Sequence, residues 1–152
     1  MTSDDLELLY RAKLADFCRA AAAIAGDAEL GRDSVQDAFA RAVRKRRRYR
    51  GDGPLEAWVW RIVVNAARDA RRRHGVVAEP VETEASDAPP GEHLPLELLT
   101  ERQREVLFLH YYADLDYATI AAALGISPGT VGATLSTARR TLRQALTQEV
   151  AG

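Results

Sequence analysis

A proline-rich acidic segment divides this chain of 152 residues into two parts. The segment from Gly75 to Pro95 holds four of the six prolines and no lysine or arginine, and its apolar residues follow no helical or strand period. A segment of this composition cannot bury enough apolar surface to fold, so residues 75–95 are predicted to be a flexible acidic linker. The flanking residues 1–74 and 96–149 are each predicted to fold as a small domain.

The composition limits the class of protein. Apolar residues make up 47% of the chain, which is enough for a folded core in each part. No run approaches the roughly 18 apolar residues of a membrane helix, and the acidic N-terminus lacks the basic flank of a secretory signal. We therefore expect a cytoplasmic protein.

The single cysteine, Cys18, cannot form an internal disulfide and is interpreted as a small core residue.

The net charge of −1 hides a strong segregation of charge along the chain. Residues 41–75 carry twelve basic and three acidic side chains, whereas residues 76–98 carry six acidic side chains and no basic one. Because the Debye length is about 8 Å at physiological salt, distant carboxylates do not cancel the field of the basic block. The block is predicted to bind an anionic partner. Whether the acidic linker covers it in the free protein is a hypothesis that the sequence leaves open.

Apolar periodicity predicts three helices in the first domain. The first ends at Gly26, and Asp27 can cap the second. The second helix is predicted to bury Val35, Ala38, Phe39, Ala42 and Val43. The third helix opens at Pro54 and has one apolar side. An adjoining side of this helix carries Arg61, Asn65, Arg68 and Arg72.

Capping signals predict three more helices in the second domain. Thr100 and Gln103 have the spacing of a capping box at the start of the first of them. Residues 117–124 form the next, and Ser127 followed by Pro128 caps and opens a final helix running towards Ala145. Strand signals are absent throughout. The predicted fold class is therefore all-α, with two small helical domains.

The last two helices are predicted to form a helix-turn-helix unit, with Ala121 as the small residue at their crossing and Gly125 in the turn. In such a unit the second helix enters the major groove of DNA, with its capping residue, here Ser127, near a phosphate. Its outward positions are Thr130, Gly132, Ala133, Thr134, Ser136, Thr137, Arg139 and Arg140. The first two turns lack the side chains that make bidentate base contacts, so recognition would depend on hydroxyls, methyl contacts and DNA shape. An ordinary helical hairpin is the alternative.

Motifs in both domains resemble those of extracytoplasmic-function (ECF) sigma factors of the sigma-70 superfamily. Residues 33–39, DSVQDAF, resemble the Asp-x-Val-Gln-x-x-Phe stretch of that family. Residues 57–65, followed by Arg68-Asp69 and by three arginines at 71–73, resemble its Trp-Leu-x-Arg-Ile-x-x-Asn signature with the later Asp and Arg-Arg. Residues 99–107, with the helix-turn-helix, resemble sigma region 4. The resemblance covers nearly the whole chain outside the linker.

The resemblance implies a transcription-initiation factor that binds core RNA polymerase and promoter DNA, with an anti-sigma factor as a further partner and no cofactor. The resemblance assigns the core polymerase contacts to Asp33, Gln36 and Asp37. Contacts to the minus-ten element fall on Tyr49, Arg50, Asp52, Trp60, Arg61, Asn65, Arg68, Arg71 and Arg72. The arginines suit phosphates, Asn65 suits a base edge or sugar, and the loop around Asp52 suits a flipped base. Trp60, which lies off the apolar stripe, is interpreted either as stacking on a base or as covering a helix interface.

The sequence departs from the family at two places. Val64 stands where a basic residue is common, and Gly132, Ala133 and Thr134 stand where Lys, Ser and Arg are common. The second departure weakens the case for reading of the minus-thirty-five element.

Two other functions fit part of the sequence. A LuxR-like helix-turn-helix regulator would need a sensing or receiver domain in the first part of the chain. A sigma-like interaction protein would bind polymerase or an anti-sigma factor without reading a promoter. An enzyme is not expected, because His74, His93 and His110 have no metal-ligand spacing and the chain has no phosphate-binding loop or nucleophile elbow.

Overall fold

The structure, a computed structural model, describes residues 1–74 and 95–151, with side chains described up to Gln148. Residues 75–94 of the predicted linker lie outside these ranges. The described residues form six α-helices and two short 3-10 turns and include no strand, as the all-α prediction requires. None of these helices alone is long and apolar enough to span a membrane, although the bent pair Tyr117–Leu124 and Pro128–Gln148 passes that test together.

Three helices make up the first module: α1 (Ser3–Ala25), α2 (Ala28–Arg44) and α3 (Leu55–Arg73). The predicted break between α1 and α2 is confirmed. Gly26 caps α1 in the left-handed conformation, which glycine adopts without a Cβ penalty, and the Asp27 carboxylate accepts a hydrogen bond from the Leu30 amide. A 3-10 turn at Arg46–Arg48 and an exposed loop lead to Pro54, which precedes α3 as predicted.

The core of the first module is built around aromatic side chains. The Phe17 ring lies 5.2 Å from the Phe39 ring and 4.3 Å from the Trp60 ring, between centroids, so one residue of α1 joins α2 and α3. Val43, which the periodicity of α2 places in the core, is 39% exposed. The prediction for Val43 is wrong because it lies in the last turn of α2, where the helix extends past the residues that cover its inner side.

The second module contains α4 (Glu101–Tyr111), α5 (Tyr117–Leu124) and α6 (Pro128–Ala151). The predicted capping box is present, with the Thr100 hydroxyl and the Gln103 side chain each accepting from the other's backbone amide. Gly125 adopts φ 70° between α5 and α6, and the Ser127 hydroxyl accepts from the Thr130 amide. The final helix continues six residues beyond the predicted Ala145.

The two modules share one continuous apolar core. Helix α5 packs against α3, and α4 packs against α1. This arrangement decides which polar side chains of α3 are accessible.

Candidate nucleic-acid and polymerase interface

The predicted cationic side of α3 is present, but its members differ in their surroundings. Arg61, Asn65 and Arg72 are exposed. Arg68 is only partly exposed, because its guanidinium group forms two hydrogen bonds to Glu105 of α4. The helical repeat thus places these four residues on one side of α3, as predicted, and the second module covers the middle of that side.

The Arg68–Glu105 pair has bidentate geometry. Nε of Arg68 donates to Oε2 of Glu105 at 2.9 Å, and Nη2 donates to Oε1 at 2.7 Å. Glu101, one helical turn earlier, lies 3.2 Å from Nε of Arg68 and 3.7 Å from a guanidinium nitrogen of Arg72. The hydrogen bond from Arg68 to Glu105 raises the pKa of Arg68, and so keeps this guanidinium charged.

Glu105 and Glu101 are not among the residues that the sequence predicts for the site. Their spacing of four positions is visible in the sequence and places both carboxylates on one side of α4. Their arginine partners belong to the other module, and Arg68 lies 37 positions from Glu105. No signal in the sequence identifies that pairing.

Arg71 lies at the edge of the contact between the modules. A guanidinium nitrogen of Arg71 donates to the Ile24 carbonyl at 3.4 Å, which holds it at the end of α1. Arg71 and Arg104 of α4 line the same small cavity. Burial and then the nearby charge of Arg71 lower the pKa of Arg104. Arg71 therefore has less freedom to meet a phosphate than the exposed arginines of α3.

The loop before α3 presents two of its three predicted contacts to solvent. Arg50 and Asp52 are exposed. The Tyr49 hydroxyl donates to the Gly53 carbonyl, and its ring lies 5.6 Å from the Trp58 ring between centroids. Tyr49 therefore closes the loop.

Trp60 is not available to DNA in this structure. Its side chain is fully buried, its ring packs on Phe17, and its indole nitrogen donates to Glu56 at 3.3 Å. These contacts lie within the first module and do not depend on the second. Of the two interpretations of Trp60, the helix interface applies, and the prediction that Trp60 contacts DNA is wrong.

The predicted polymerase contacts lie along the outer side of α2. Asp33 and Gln36 are exposed, whereas Asp37 is partly buried and pairs with Arg41 at 2.8 Å. Val35 and Phe39, on the opposite side of the helix, are buried in the core. The polar and apolar sides of α2 are thus divided as predicted.

The outward positions of α6 form a surface of small polar side chains followed by arginines. Thr130, Ala133, Ser136, Thr137 and Arg140 are exposed, and Thr134 is partly buried. The Thr137 hydroxyl donates to the Ala133 carbonyl, one turn earlier.

Arg139 is held against the end of α4. Its Nε donates to the Tyr111 hydroxyl at 2.8 Å, and its guanidinium carbon lies 5.5 Å from the centre of the Tyr111 ring. This hydrogen bond raises the pKa of Arg139. A shallow cavity on α6 is lined by Ser136, Arg139, Arg140 and Arg143.

Comparison with known proteins supports the division into two modules. The model of Sigma-70 region 2 matches residues 9–76, and the model of Sigma-70 region 4 matches residues 96–142. The first match occupies the part of the chain in which a LuxR-like regulator would need a sensing domain, so that alternative is not favoured.

Two curated proteins are similar in sequence. The RNA polymerase sigma-H factor of Pseudomonas aeruginosa is 28% identical over 144 residues, a match that covers 79% of this chain and 75% of that protein. The Probable RNA polymerase sigma factor RfaY of Xanthomonas campestris pv. campestris is 30% identical over 147 residues, covering 84% of this chain and 37% of that protein.

Two solved structures share the fold. The sigma factor RpoE in its complex with the anti-sigma factor NepR from Bartonella quintana has a TM-score of 0.72 and 23% identity, covering 95% of this chain and 98% of that one. CnrH in its complex with the cytosolic domain of CnrY also has a TM-score of 0.72, with 25% identity, covering 95% of this chain and 89% of that one. Since region 2 and region 4 match the two modules in chain order, the chain belongs to the sigma-70 family, as a sigma factor of the ECF type.

Proposed function

We propose that this sigma factor uses α2 to bind core RNA polymerase, α3 and the loop before it to hold the minus-ten element, and α6 to contact DNA upstream. The division into domains at residues 1–74 and 96–149, joined by residues 75–95, is part of this proposal. The observation that carries this proposal is that α3, in a chain of this family, has one buried apolar side and one exposed polar side. One side packs in the core, and the other presents Arg61, Asn65 and Arg72, while Arg50 and Asp52 are exposed in the loop that precedes the helix.

The chemistry of this surface fits a DNA strand. Arginines neutralise phosphates and release counterions, which supplies affinity without regard to sequence. Asn65 offers both a donor and an acceptor to a base edge. The loop with Arg50 and Asp52 is exposed and suits an unpaired base. Strand opening at the promoter then draws on binding energy, with no catalytic reaction by the chain itself.

We propose that α6 contacts mainly the phosphates of the DNA backbone. Its first two turns offer hydroxyl and methyl groups, while Arg139, Arg140 and Arg143 lie together further along the helix. Arginines placed in this way bind phosphates and fix orientation, but they read few bases. We therefore propose that sequence selection rests more on α3 and its loop than on α6.

We further propose a cytoplasmic location and an anti-sigma factor as partner. The second proposal is supported by the complexes in which the two related structures were solved, RpoE with NepR and CnrH with the cytosolic domain of CnrY.

Core-polymerase pull-down combined with promoter-dependent run-off transcription tests the proposal. The variant Arg61→Ala/Arg72→Ala should retain polymerase binding and lose most run-off transcript, because two phosphates are no longer neutralised. The slope of log affinity against log salt should also become shallower by about 0.9 for each of these phosphates. Arg11→Ala removes an exposed arginine of α1 that is not among the proposed DNA contacts, and it is the control for charge. Polymerase binding without any run-off by the wild type would instead favour the sigma-like interaction protein.

A further inference from the structure

Tyr111, the last residue of α4, is 56% exposed and lies against Arg139 of α6. We propose that Tyr111 is a positioning residue for DNA binding: its hydroxyl holds Nε of Arg139, so that the two terminal nitrogens of the guanidinium group bind one phosphate of duplex DNA. This inference rests on the proposed function, since it assumes that α6 contacts the DNA backbone. It adds to that contact a residue that lies outside the helix-turn-helix unit.

The hydrogen bond to Tyr111 leaves most donors of the guanidinium group free. Nε of Arg139 donates to the Tyr111 hydroxyl at 2.8 Å. An arginine side chain has five N–H donors in one plane, and Nε carries one of them, so the other four are on the terminal nitrogens. These two nitrogens can donate in parallel to two oxygens of a phosphate. A guanidinium group held through Nε is therefore oriented without losing its capacity for bidentate binding.

Tyr111 orients Arg139 without neutralising its charge. A tyrosine hydroxyl is uncharged at neutral pH, and among the residues whose side chains the structure describes, no carboxylate forms an ion pair with Arg139. Arg68, by contrast, is paired with the carboxylate of Glu105. The hydrogen bond to Tyr111 raises the pKa of Arg139, which keeps the group charged. The positive charge of Arg139 thus remains available to a phosphate.

Neighbouring side chains hold Tyr111 itself in place. The His110 ring packs edge-on against the Tyr111 ring, with 4.9 Å between centroids, and lies 5.7 Å from the Tyr117 ring. The guanidinium carbon of Arg139 lies 5.5 Å from the centre of the Tyr111 ring, which is within the range of a cation–π contact. Tyr111 therefore contacts Arg139 in two ways, through its hydroxyl and through its ring.

The place of Arg139 in α6 favours a phosphate over a base. In a helix-turn-helix unit, the N-terminal residues of the second helix contact base edges. Arg139 lies about three turns after Pro128, where α6 begins, and is the first basic residue of that helix. Gly132 lies two turns before Arg139 on the same side of α6 and offers no side chain. The affinity of this side for DNA therefore depends on Arg139 and on the group that orients it.

A double-mutant cycle on Tyr111 and Arg139 in the full-length chain tests the inference. The four proteins are the wild type, Tyr111→Phe, Arg139→Ala and the double variant. Tyr111→Phe removes the hydroxyl and keeps the ring. The probe is a fluorescently labelled duplex DNA of mixed sequence, and fluorescence anisotropy measures its dissociation constant over a series of salt concentrations. Thermal unfolding checks the stability of each protein.

Two further variants complete the set. Tyr112→Phe is the matched control, because Tyr112 is also exposed and its ring packs on Phe108. In the part of the chain that the structure describes, no hydrogen bond joins the Tyr112 hydroxyl to an arginine. Arg139→Lys keeps the charge but removes the planar arrangement of donors. If Tyr111→Phe loses stability, Arg139→Lys still tests the need for an oriented guanidinium group.

We expect Tyr111→Phe to weaken duplex binding about fivefold and Arg139→Ala about tenfold, with the double variant no weaker than Arg139→Ala, because Tyr111 acts through that guanidinium group. Arg139→Ala should also lower the slope of log affinity against log salt by about 0.9, the value for one phosphate. Arg139→Lys should bind about threefold more weakly than the wild type, because a lysine binds a phosphate as a point charge. Tyr112→Phe should bind as the wild type does.

An equal loss from Tyr111→Phe in the wild type and in Arg139→Ala would overturn the inference, because Tyr111 would then act independently of Arg139. Wild-type affinity in Tyr111→Phe, or in Arg139→Lys, would also overturn it, while a loss in Arg139→Ala would leave the proposed contact of α6 with DNA in place. Unchanged affinity and salt slope in Arg139→Ala would instead refute the proposed role of Arg139 in DNA binding, whatever the tyrosine variants show.

Discussion

Gly31 lies where the backbones of α2 and α1 approach closely. A Cβ at this position would lie 2.4 Å from the backbone nitrogen of Ala22 and 2.5 Å from its Cα. These atoms belong to a helix backbone and cannot turn aside as a flexible side chain does. Gly31→Ala is therefore expected to destabilise the protein by about 1–3 kcal/mol, measured by denaturant unfolding followed by circular dichroism.

Gly129 in the first turn of α6 is the matched control for this substitution. A Cβ there would meet only the Ser127 hydroxyl, at 3.9 Å, which is ordinary van der Waals contact. Because alanine favours a helix over glycine by roughly 0.5–1 kcal/mol, Gly129→Ala should leave stability unchanged or raise it. Similar destabilisation at both glycines would contradict the close packing of α1 on α2.

Asp116 caps α5 and gives stability a defined dependence on pH. Its carboxylate accepts a hydrogen bond from the Thr119 amide at 2.8 Å. Hydrogen bonds from the Thr119 side chain and backbone lower the pKa of Asp116 below its ordinary value of 3.8. Since a lowered pKa in the folded state favours the charged form, the stabilisation is complete above pH 3.8 and is lost as the pH falls through the folded pKa.

Asp116→Ala and Asp116→Asn test this dependence by thermal unfolding at pH 7 and at a series of values below about pH 5. The alanine variant should unfold a few degrees lower than the wild type at pH 7, because the cap is absent. The asparagine variant should stay near the wild type at pH 7, since asparagine also caps. The advantage of the wild type over the alanine variant should shrink below pH 3.8. A constant difference across this range would contradict a role for the charge.

At the scale of helices, their ends can be predicted from the sequence because the signals are local. The caps at Asp27, Thr100 and Ser127 act on amides within three residues, and the positive φ of Gly125 is needed only by its own turn. The far end of α6 has no such signal, and the predicted helix is shorter than the observed one.

The sequence predicts the buried side of a helix less well than it predicts the helix ends. The reason is that burial depends on neighbouring residues that are often distant in sequence. The family resemblance places Trp60 among the DNA contacts, with a helix interface as the alternative, and the structure shows that Phe17 covers it from another helix. The apolar periodicity of α2 places Val43 in the core, although 39% of its surface is exposed. The sequence gives no signal for the pairing of Glu105, because its partner Arg68 lies 37 positions away in the other module.

The outer side of α2 carries the proposed polymerase contact, and its exposed residues can be changed without disturbing the core. Asp33→Ala and Gln36→Ala should each weaken binding to core polymerase by about tenfold, as removal of a central polar contact does at interfaces. Binding of single-stranded DNA by the free chain should not change. Surface plasmon resonance with immobilised core polymerase measures the first quantity and fluorescence anisotropy the second.

Gln144→Ala, an exposed glutamine of α6, is the control for these α2 variants. It should bind core polymerase as the wild type does. Normal polymerase binding by both α2 variants would contradict the assignment of this side, and a parallel decrease in DNA binding would indicate that α2 had changed shape.

At the scale of the whole molecule, the second module neutralises part of the basic block of the first. The basic block lies in the first module, and carboxylates of α4 in the second module pair with two of its arginines. A chain whose basic surface is partly neutralised by its own carboxylates has a weaker field for non-specific nucleic acid.

The bidentate Arg68–Glu105 pair predicts that Glu105 and a DNA phosphate compete for the Arg68 guanidinium, and a double-mutant cycle on the two residues distinguishes this competition from a general effect of charge. If Glu105 acts by occupying Arg68, Glu105→Gln should tighten binding of single-stranded DNA about tenfold in the wild type but less than about twofold in Arg68→Ala, where no guanidinium remains to be released. If removal of a negative charge near DNA is the whole effect, the increase should be the same in both backgrounds. Fluorescence anisotropy on the four proteins at one salt concentration measures the coupling. Equal increases would contradict the competition between Glu105 and DNA for Arg68.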